Sequence, residues 1–527
     1  MTILLNKCVA ALTAARAHAG RVSGALICFS LFAVTAHSEI LYVNGATGND
    51  SNGGTSAAPK KTIQGAVAIA VAGDEIVVAA GTYGPISTGN KAITITGSGG
   101  AGATVISGGG TGRCATLVAD SVEQNATVLS GFTLTDGCAT NVSPAAHSGY
   151  GGGALGGTLR NCILTGNAAR SGGGAYSCIM SNCTVSGNMA FCGGGVYDCN
   201  LRECTLTDNG ASQNGGGAIY STLTGCTLTG NAADYEGGGA CQCHLNNCTL
   251  SGNAAMSGGG ASCCFPMNNC LLTGNTATGG GGGTLRCSLI NCTVTGNAAA
   301  YAGGALEGAC LSSIVWGNNA AADANHKNSR LVSCCAVPAP TSDGNISANP
   351  RFTDSANGNY RLMESSLCIN AGANGYVTTP LDLGGSQRIQ YGQVDIGAYE
   401  SGYEAPVQQQ ETNTPVPVPY TWLDPYLGWH GEYDHNALAN MRGANGVYFW
   451  ESYVAGLVPT NPASRFLITN FVVNAASKVT ALDWGPRLPD RDYKIWGKTN
   501  LNAVGEAWHY PTNPGTRFFK VTVDMLP

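Results

Sequence analysis

The stretch NNCTLSGNAAMSGGGA, residues 246–261, recurs with small changes along the middle of the chain. Close copies are RNCILTGNAARSGGGA at residues 160–175 and INCTVTGNAAAYAGGA at residues 290–305. Each copy holds a thiol, hydroxyls, amides and glycines, which are groups that reactive and ligand-binding sites also use. The spacing of the copies distinguishes a site repeated many times from a structural unit.

The copies are in phase over seven or eight repeats, with steps of 21 or 22 residues. A first cysteine position contains Cys162, Cys183, Cys204, Cys226, Cys248, Cys270 and Cys292. An asparagine position five residues later contains Asn167, Asn188, Asn209, Asn231, Asn253, Asn275, Asn297 and then Asn318. Glycine runs begin at Gly151, Gly172, Gly193, Gly215, Gly237, Gly258, Gly279 and Gly303. A second cysteine position, five before the first, contains Cys178, Cys199, Cys243 and Cys287, with Ser221 and Phe265 between them.

A unit this short cannot bury a core alone, so the units are expected to stack. Within a unit, the alternation around Cys248 predicts a strand with Cys248 and Leu250 facing inward and Thr249 and Ser251 facing outward. No helical stripe fits the glycine-rich remainder. A coil of three short strands joined by tight turns, paired with the next coil at ~4.8 Å, predicts an all-β parallel β-helix solenoid.

The repeated positions are therefore interpreted as structural ladders. Asparagine tolerates the left-handed backbone of a turn, and stacked amides hydrogen-bond along a ladder. Cysteine is small and apolar enough for the core. Mostly reduced thiol ladders are favoured, and disulfides between coils or between positions remain the alternative. Of 23 cysteines, Cys8 and Cys28 precede the expected mature chain, which leaves an odd number.

The paired GGGA and LTGN elements resemble the repeats of polymorphic outer-membrane proteins and other right-handed β-helix proteins of the pectate-lyase-like superfamily. The resemblance covers roughly residues 40–340 and implies a right-handed parallel β-helix. Residues 42–83 are similar to the first segment of many secreted β-helix proteins. There, Thr62 to Val71 is predicted to form a capping helix, and Gly73 and Asp74 to turn into the strand EIVVAA.

Residues 349–400 resemble the choice-of-anchor Q domain, which implies a surface or secreted bacterial protein with a variable attachment device. The residues that match its pattern are Pro350, Phe352, Tyr360, Leu362, Cys368, Asn370, Gly372, Asp382, Arg388, Asp395, Gly397 and Glu400.

Changes in composition predict six segments. These are a signal peptide at 1–38, an N-terminal cap with irregular coils at 39–128, regular 21–22-residue repeats at 129–340, the choice-of-anchor Q-like end of the solenoid at 341–402, a Pro/Gln-rich linker at 403–420 and a small β-sandwich-like module at 421–527. Residues 445–466 resemble the end of thrombospondin type-three-like repeats, but only Asp434, Asn436 and Asn445 offer ligands. Calcium needs about six oxygens, so no metal or other cofactor is expected, with calcium as the alternative.

Candidates for catalysis are sparse in a chain with only 11% charged residues and a net charge of −6, which also disfavours nucleic acid as a partner. The acids of the repeats are Asp198, Glu203, Asp208, Asp234, Glu236 and Glu307. The other candidates are the pair Arg160 and Arg202; Arg113, Asp120, Glu123 and Asp136 in the irregular segment 96–148; His147, His244 and His326; and the zinc-like spacing Cys241, Cys243, His244 and Cys248. For each set, the interpretation preferred here is structural or solvent-facing.

The sequence therefore predicts an exported bacterial β-helix protein at the cell surface or outside the cell, monomeric and without a transmembrane span once mature. A non-catalytic, adhesin-like or glycan-binding function is preferred, with a polysaccharide or a host or cell-surface glycan as partner. A polysaccharide lyase or glycoside hydrolase is the alternative, and a structural spacer is the third. The variable turn between Asn253 and Gly258, with its counterparts in other coils, is the expected contact surface.

Overall fold

The computed structural model describes residues 38–404 except Asn90, 119–126, 141–147 and 341. Toward the C-terminus it describes 418, 423–426, 430, 435–455, 457–462 and the backbone of four later strands. The chain divides into two compact units, Met1–Ala211 and Ser212–Pro527. The expected signal peptide (apart from Ser38), Asp120, Glu123, His147, Asp434 and most of the linker lie outside the described residues.

Both units are built from coils with four short sides, where the repeat predicted three strands. In one coil the sides are Ala175–Tyr176, Ile179–Ser181, Thr184–Ser186 and Met189–Cys192, called here the first to fourth sides. Each side pairs in parallel with the same side of the next coil, as Leu164 does with Val185. The additional strand has two residues and directly follows the glycine run, which is too short a segment for an alternation pattern to show. Each unit is therefore a parallel β-helix.

The strands of the first unit follow this order on each side. The first side contains Ile86–Ser87, Ala115–Thr116, Ala154–Leu155, Ala175–Tyr176 and Val196–Tyr197. The second contains Ile40–Val43, Glu75–Val78, Thr94–Gly97, Val128–Ser130, Thr158–Arg160, Ile179–Ser181 and Asn200–Arg202. The third contains Gly81–Tyr83, Thr104–Ser107, Thr133–Thr135, Ile163–Thr165, Thr184–Ser186 and Thr205–Thr207. The fourth contains Cys138–Ala139, Ala168–Ser171, Met189–Cys192 and Gly210–Ala211.

The second unit repeats the arrangement. Its first side contains Ala218–Ile219, Ala240–Cys241, Ala261–Ser262, Thr284–Leu285, Ala305–Leu306 and His326–Lys327. Its second contains Thr222–Thr224, His244–Asn246, Met267–Asn268, Ser288–Ile290, Ala309–Leu311 and Arg330–Val332. Its third contains Thr227–Thr229, Thr249–Ser251, Leu271–Thr273, Thr293–Thr295, Ile314–Trp316 and Cys335–Ala336. Its fourth contains Ala232–Ala233, Ala254–Ala255, Thr276–Gly280, Ala298–Tyr301 and Asn319–Ala322.

The predicted alternation of side chains is confirmed. Cys248 and Leu250 are fully buried, whereas Thr249 and Ser251 are only partly buried. At the glycine run, a Cβ built on Gly238 would overlap the carbonyl oxygens of Ala254 and Gly259. The coils therefore approach each other too closely at this corner for a side chain.

The sequence predicted a left-handed backbone at the ladder asparagines, but the structure places it at other residues. They are the residues just before each inward position: Gln242 with φ 50°, Asn247 with φ 52° and Gly252 with φ 63°. A left-handed residue turns the chain through the corner, and the next side chain then points into the core. The ladder asparagine is thus released for hydrogen bonding.

In the first unit, after the strand Ile40–Val43, comes a helix at Ile63–Ile69, slightly shorter than predicted, whose N-cap Thr62 accepts a hydrogen bond from Gly65 N. Ile63, Ala66 and Val67 form its buried face. The strand Glu75–Val78 follows, as predicted. The helix near the start of the first unit is therefore packed by its apolar face.

Residues 349–401, called here the side module, contain two paired strands, Phe352–Asp354 and Asn359–Leu362, and the 3-10 helices Ser355–Asn357 and Asn374–Tyr376. Farther on are the 3-10 helix Asp424–Tyr426 and the α-helices His435–Ala439 and Phe449–Ala455. Two antiparallel pairs end the chain, Leu467–Val473 with Val479–Gly485 and Arg491–Lys498 with Phe518–Met525. Among the described residues, no helix has the length and apolar character needed to cross a membrane.

Candidate functional site

The asparagine positions form continuous hydrogen-bonded ladders inside each unit. Asn253 Nδ2 donates to Leu228 O at 3.0 Å and to Asn275 Oδ1 at 2.9 Å. Its Oδ1 accepts from the backbone N and the Nδ2 of Asn231, both at 3.0 Å. The same pattern links Asn167, Asn188 and Asn209 in the first unit and Asn231, Asn253, Asn275, Asn297 and Asn318 in the second. These amides are saturated within the core and leave no group for a ligand.

The cysteine positions also form ladders, in which a sulfur accepts an N–H from the preceding coil. Cys270 N donates to Cys292 Sγ at 3.4 Å, and Cys243 N donates to Cys264 Sγ at 3.4 Å. The second contact corrects the sequence assignment, because Cys264 and not Phe265 occupies the second cysteine position. Phe265 is an extra residue of that coil and is 52% exposed.

Among the described residues all cysteines are free thiols. Burial raises the pKa of Cys114 to about 12 and holds that of Cys310 well above its ordinary value. Such thiols stay protonated near neutral pH and are poor nucleophiles. The members of the first ladder are Cys162, Cys183, Cys204, Cys226, Cys248, Cys270 and Cys292, all buried.

The ladders end in residues that the repeat alone did not reveal. Cys292 N donates to Ser313 Oγ at 3.0 Å, so serine continues the first cysteine position. Cys334 N then donates to Asn345 Oδ1 at 3.0 Å, and Asn318 N donates to Asn325 Oδ1 at 3.0 Å. A small hydroxyl or amide residue at the expected interval is the signal that could have found them.

The charged candidates from the sequence are not brought together. Glu203, Asp198, Asp208 and Glu307 occupy left-handed turn positions. Arg202 pairs with Glu203 at 3.2 Å on the exposed surface. Within the described residues, no group of three or more His, Cys, Asp or Glu side chains could hold a metal ion.

The remaining candidates are dispersed as well. Arg160 and Arg202 lie on one row of the second side, with Ser181 between them, and both are exposed. Glu236 accepts a hydrogen bond from Ser262 Oγ at 2.8 Å, and Asp234 is exposed. Arg286 pairs with Glu307 at 3.1 Å.

The zinc-like segment does not converge either. Cys243 and Cys248 point into the core, whereas His244 is exposed. Arg113 Nε donates to Gly151 O at 2.8 Å, which is a backbone-supporting role. Asp136 lies on an exposed turn, and His326 is partly buried in the strand His326–Lys327. Of the calcium candidates, Asn445 is buried and donates to Ser452 Oγ at 3.0 Å.

The segments predicted as variable turns contain the fourth-side strands, and they carry apolar side chains to the surface. In the first unit Met189 is 57% and Phe191 is 50% exposed, and Phe191 helps to line a cavity of about 340 Å³ with Thr140, Ala169 and Arg170. In the second unit Tyr235 and Tyr301 are exposed, although Lys327 Nζ lies 5.5 Å from the Tyr301 ring centroid. This surface is apolar but shallow.

Three stacked tyrosines on the first unit were not foreseen from the sequence. Tyr150 and Tyr176 have ring centroids 4.5 Å apart, and Tyr176 and Tyr197 are 5.1 Å apart, with nearly parallel planes. Burial, with the neighbouring tyrosines, raises the pKa of Tyr176 to about 12. Both faces of the middle ring, Tyr176, are therefore covered by its neighbours.

The side module packs on the third side of the second unit. Ala398 N donates to Thr293 Oγ1 at 3.1 Å, and Ala373 N donates to Ser312 Oγ at 2.9 Å. Leu362, Cys368, Ile369 and Ile396 form one apolar cluster with Ile314 and Cys335 of the solenoid. The side module and the coils therefore share one apolar core.

A buried ion pair holds the side module together. Arg388 Nη1 lies 3.1 Å from Glu400 Oε1, and both side chains are almost inaccessible to solvent. Arg388 also donates to Asp395 O at 3.1 Å, while Asp382 accepts from Glu400 N at 2.7 Å. Burial raises the pKa of Glu400 to about 8, against the attraction of Arg388.

A large cleft of about 900 Å³ lies along the border between the third side and the side module. Trp316 lines its solenoid wall, and Phe352, Tyr360 and Arg351 line the opposite wall. The rings of Phe352 and Tyr360 meet edge to face at 5.3 Å, and the Tyr360 hydroxyl lies 3.0 Å from Thr273 Oγ1.

The cleft also contains polar groups that are free to meet a ligand. Arg351 is exposed, and its backbone is left-handed with φ 53°. Within the part of the chain that is described, neither its guanidinium nor the Trp316 indole N–H makes a hydrogen bond or ion pair. Their availability beside three aromatic rings makes this cleft the best candidate functional site.

Comparisons with known proteins give one family match over a short segment and several solved structures of low similarity. A family model described as "Protein of unknown function (DUF1565)" matches residues 46–96. No curated protein matches the chain.

Similar solved structures have low identity. A complex of XylC with xylose is 9% identical, with a TM-score of 0.43 over 69% of this chain and 99% of that one. Pectate lyase Pel9A is 15% identical, with a TM-score of 0.36 over 69% and 97%. The A-module of mannuronan C-5 epimerase AlgE4 from Azotobacter vinelandii is 14% identical, with a TM-score of 0.30 over 49% and 83%. A likeness at this level carries no conclusion about what the chain does.

Proposed function

We propose that this chain is an exported, non-catalytic glycan-binding protein whose binding site is the cleft between the third side and the side module. The observation that carries the proposal is the combination of Trp316, Phe352 and Tyr360 with the unpaired Arg351 in one cleft. Its volume of about 900 Å³ lies within the range of ~300–1,000 Å³ that ligand sites occupy.

The chemistry of the lining suits a sugar chain. Aromatic rings offer large apolar area at a fixed orientation, onto which the C–H face of a sugar ring can pack. Asn349 and Ser355 line the same cleft and supply hydrogen-bonding groups for sugar hydroxyls. A guanidinium binds a carboxylate through two parallel hydrogen bonds, so Arg351 favours a polysaccharide with acidic groups over a neutral one.

The test is binding of the full mature chain to acidic and neutral polysaccharides by calorimetry, with the supernatant examined for cleavage products. We expect Trp316→Ala to weaken binding of both classes at least about tenfold, the equivalent of ~1.4 kcal/mol. Arg351→Ala should weaken only the acidic class. Tyr301→Ala, which removes an exposed aromatic ring outside the cleft, is the matched control and should bind normally.

Two outcomes would contradict the proposal. If Tyr301→Ala loses binding and Trp316→Ala does not, the variable turns are the contact surface. If unsaturated oligosaccharides accumulate, the chain is a polysaccharide lyase.

A further inference from the structure

Cys335 and Cys368 are the two thiols that meet across the border between the solenoid and the side module. Cys335 lies on the third side, in register with Ile314, and Cys368 comes from the side module. Both are buried, at 0% and 1% exposure, in the same apolar cluster, where Cys335 Sγ also donates to Ala348 O at 3.1 Å. Two separate segments of the chain thus bring a pair of sulfurs together.

The ladder thiols are held differently. Neighbouring ladder thiols also touch, as Cys270 does Cys292. Their side chains stack in one direction, however, and several of the sulfurs accept a backbone N–H, as Cys264 Sγ does from Cys243 N at 3.4 Å. A disulfide needs two Cβ atoms that approach each other with a torsion near ±90°, which parallel stacked side chains do not readily give. Cys335 N donates instead to Ser313 O, and Cys368 N donates to Ser366 Oγ. Among the described residues, no backbone N–H is bound to either sulfur of this pair.

We infer that Cys335 and Cys368 form a disulfide wherever the folded protein meets an oxidising thiol–disulfide couple, and that this bond fastens the side module to the third side. The inference does not require glycan binding. The disulfide would close a loop and so restrict the conformations of the unfolded chain, which is how a disulfide stabilises a fold. It would also fix the position of the wall that carries Arg351 and Phe352.

The bond forms by exchange with a low-molecular-weight disulfide such as oxidised glutathione. One protein thiolate attacks a sulfur of the oxidant, its S–S bond breaks, and one glutathione thiolate leaves. The second protein thiolate then displaces the other glutathione from the mixed disulfide. In total the two cysteines lose two protons and two electrons, and the oxidant becomes two thiols.

The surroundings predict when the exchange occurs. Contact with Cys368, together with burial, holds the pKa of Cys335 well above its ordinary value. Since the thiolate is the attacking form, the exchange should be slow once the side module has docked. Oxidation during folding should therefore be much faster than oxidation of the folded, reduced protein.

The experiment refolds the full chain with a mixture of oxidised and reduced glutathione, blocks free thiols, and maps tryptic peptides by mass spectrometry. We expect peptide 331–351 joined to peptide 362–388, while ladder cysteines such as Cys248 and Cys270 are recovered blocked after unfolding. Peptide 331–351 also contains Cys334, so Cys334→Ser is included and should retain the link.

A second measurement keeps the inference testable if a variant folds poorly. In the oxidised wild-type protein, reductant should speed proteolysis within residues 349–401 at least about tenfold, which is well within what closing a loop of this length supplies. Cys335→Ser and Cys368→Ser should be cleaved quickly with or without reductant, and the ladder variant Cys270→Ser should keep the wild-type response. Recovery of Cys335 and Cys368 as blocked thiols after oxidative refolding, or of either one joined to a ladder cysteine, would overturn the inference.

Discussion

The third side of the second unit has an uncovered stretch and a covered stretch built on the same strands. In the uncovered stretch, the outward residues Thr227 and Thr249 are exposed or partly buried. In the covered stretch, the outward residues packed beneath or beside the side module are buried: Leu271, Thr293, Ile314 and Cys335. The inward residues of both stretches belong to one class and are all fully buried: Leu228, Leu250, Leu272, Val294 and Val315.

The difference shows that the inward and outward positions carry separate information. The inward residues form the core of the coil, and they are the same class of apolar residue whether or not another element covers the strand. The outward position changes from threonine to an apolar residue where another element packs. Thr293 is the exception, and its hydroxyl accepts a hydrogen bond from Ala398 N. The candidate binding cleft lies at the border of the covered stretch, where Trp316 follows Ile314 on the same strand.

The largest expected effect comes from removing the charge that holds the covering element together. Above about pH 8, where Glu400 is ionised, Arg388→Met breaks the buried pair and should cost about 3–5 kcal/mol, because it leaves an uncompensated buried charge. Hydrogen exchange should show lost protection in residues 349–401 but not in the coil containing Thr249. Arg286→Met removes an accessible ion pair and is the control, with an expected cost below about 1 kcal/mol. Equal losses of protection in both regions would show that the two stretches are not independent.

Much of the solenoid could be predicted from spacing, because each coil repeats the same pattern of buried strand positions and turn positions. Cys248 and Leu250 were placed correctly in the core, whereas Asn253 was expected at a turn and is buried in the core as well. The left-handed residue could not be assigned from composition, since glycine at 252 and asparagine at 247 both adopt that conformation. Cys264 was missed because its coil has one extra residue, which disrupts a count based on fixed intervals.

The candidate site was not predicted, because it depends on two segments that are distant in sequence. Thr295 and Trp316 come from adjacent coils, and Arg351 and Phe352 come from the side module. The angle at which these segments pack is set by side-chain contacts, and it produces no repeating pattern in the sequence. One signal was present nonetheless: Trp316 occupies a position held by Thr273 and Thr295 in the preceding coils.

The next largest effect is expected from the asparagine ladder, which both stretches share. Asn253→Ala removes four hydrogen bonds from the core ladder and should cost about 2–4 kcal/mol, because buried partners are left unsatisfied. Thermal unfolding of the variant beside Thr249→Ala measures it, and the control should stay within about 0.5 kcal/mol of wild type. A cost for Asn253→Ala as small as that of the control would mean that the ladder does not hold the coils.

A pH titration should separate the covered stretch from the uncovered one. Burial raises the pKa of Glu400 from an ordinary 4.5 to about 8, so the folded side module binds a proton that the unfolded chain has released. The stability contributed by this group is full below pH 4.5 and is lost as the pH rises through 8. Between pH 5 and pH 7 the loss should be about 2–3 kcal/mol, at roughly 1.4 kcal/mol per pH unit.

Hydrogen exchange of residues 349–401 at several pH values measures this dependence, and Glu400→Gln should flatten it. The raised pKa of Asp395 acts in the same direction and should leave a smaller residual slope. Glu307→Gln, in an accessible ion pair, should keep the wild-type slope. An unchanged slope in Glu400→Gln would assign the dependence to another group.

The smallest expected effect comes from exchanging apolar and threonine residues between the outward positions of the covered and uncovered stretches. Ile314→Thr places a hydroxyl in an apolar cluster and should cost about 2 kcal/mol, through lost burial and an unsatisfied polar group. Thr249→Ile makes the reverse change on an uncovered strand and should stay within about 0.5 kcal/mol of wild type, because isoleucine suits a strand and meets no partner there. Urea unfolding measures both. If Thr249→Ile proves as costly as Ile314→Thr, the outward threonines are required by the coil itself, and an apolar outward residue could no longer be used to recognise where another element packs.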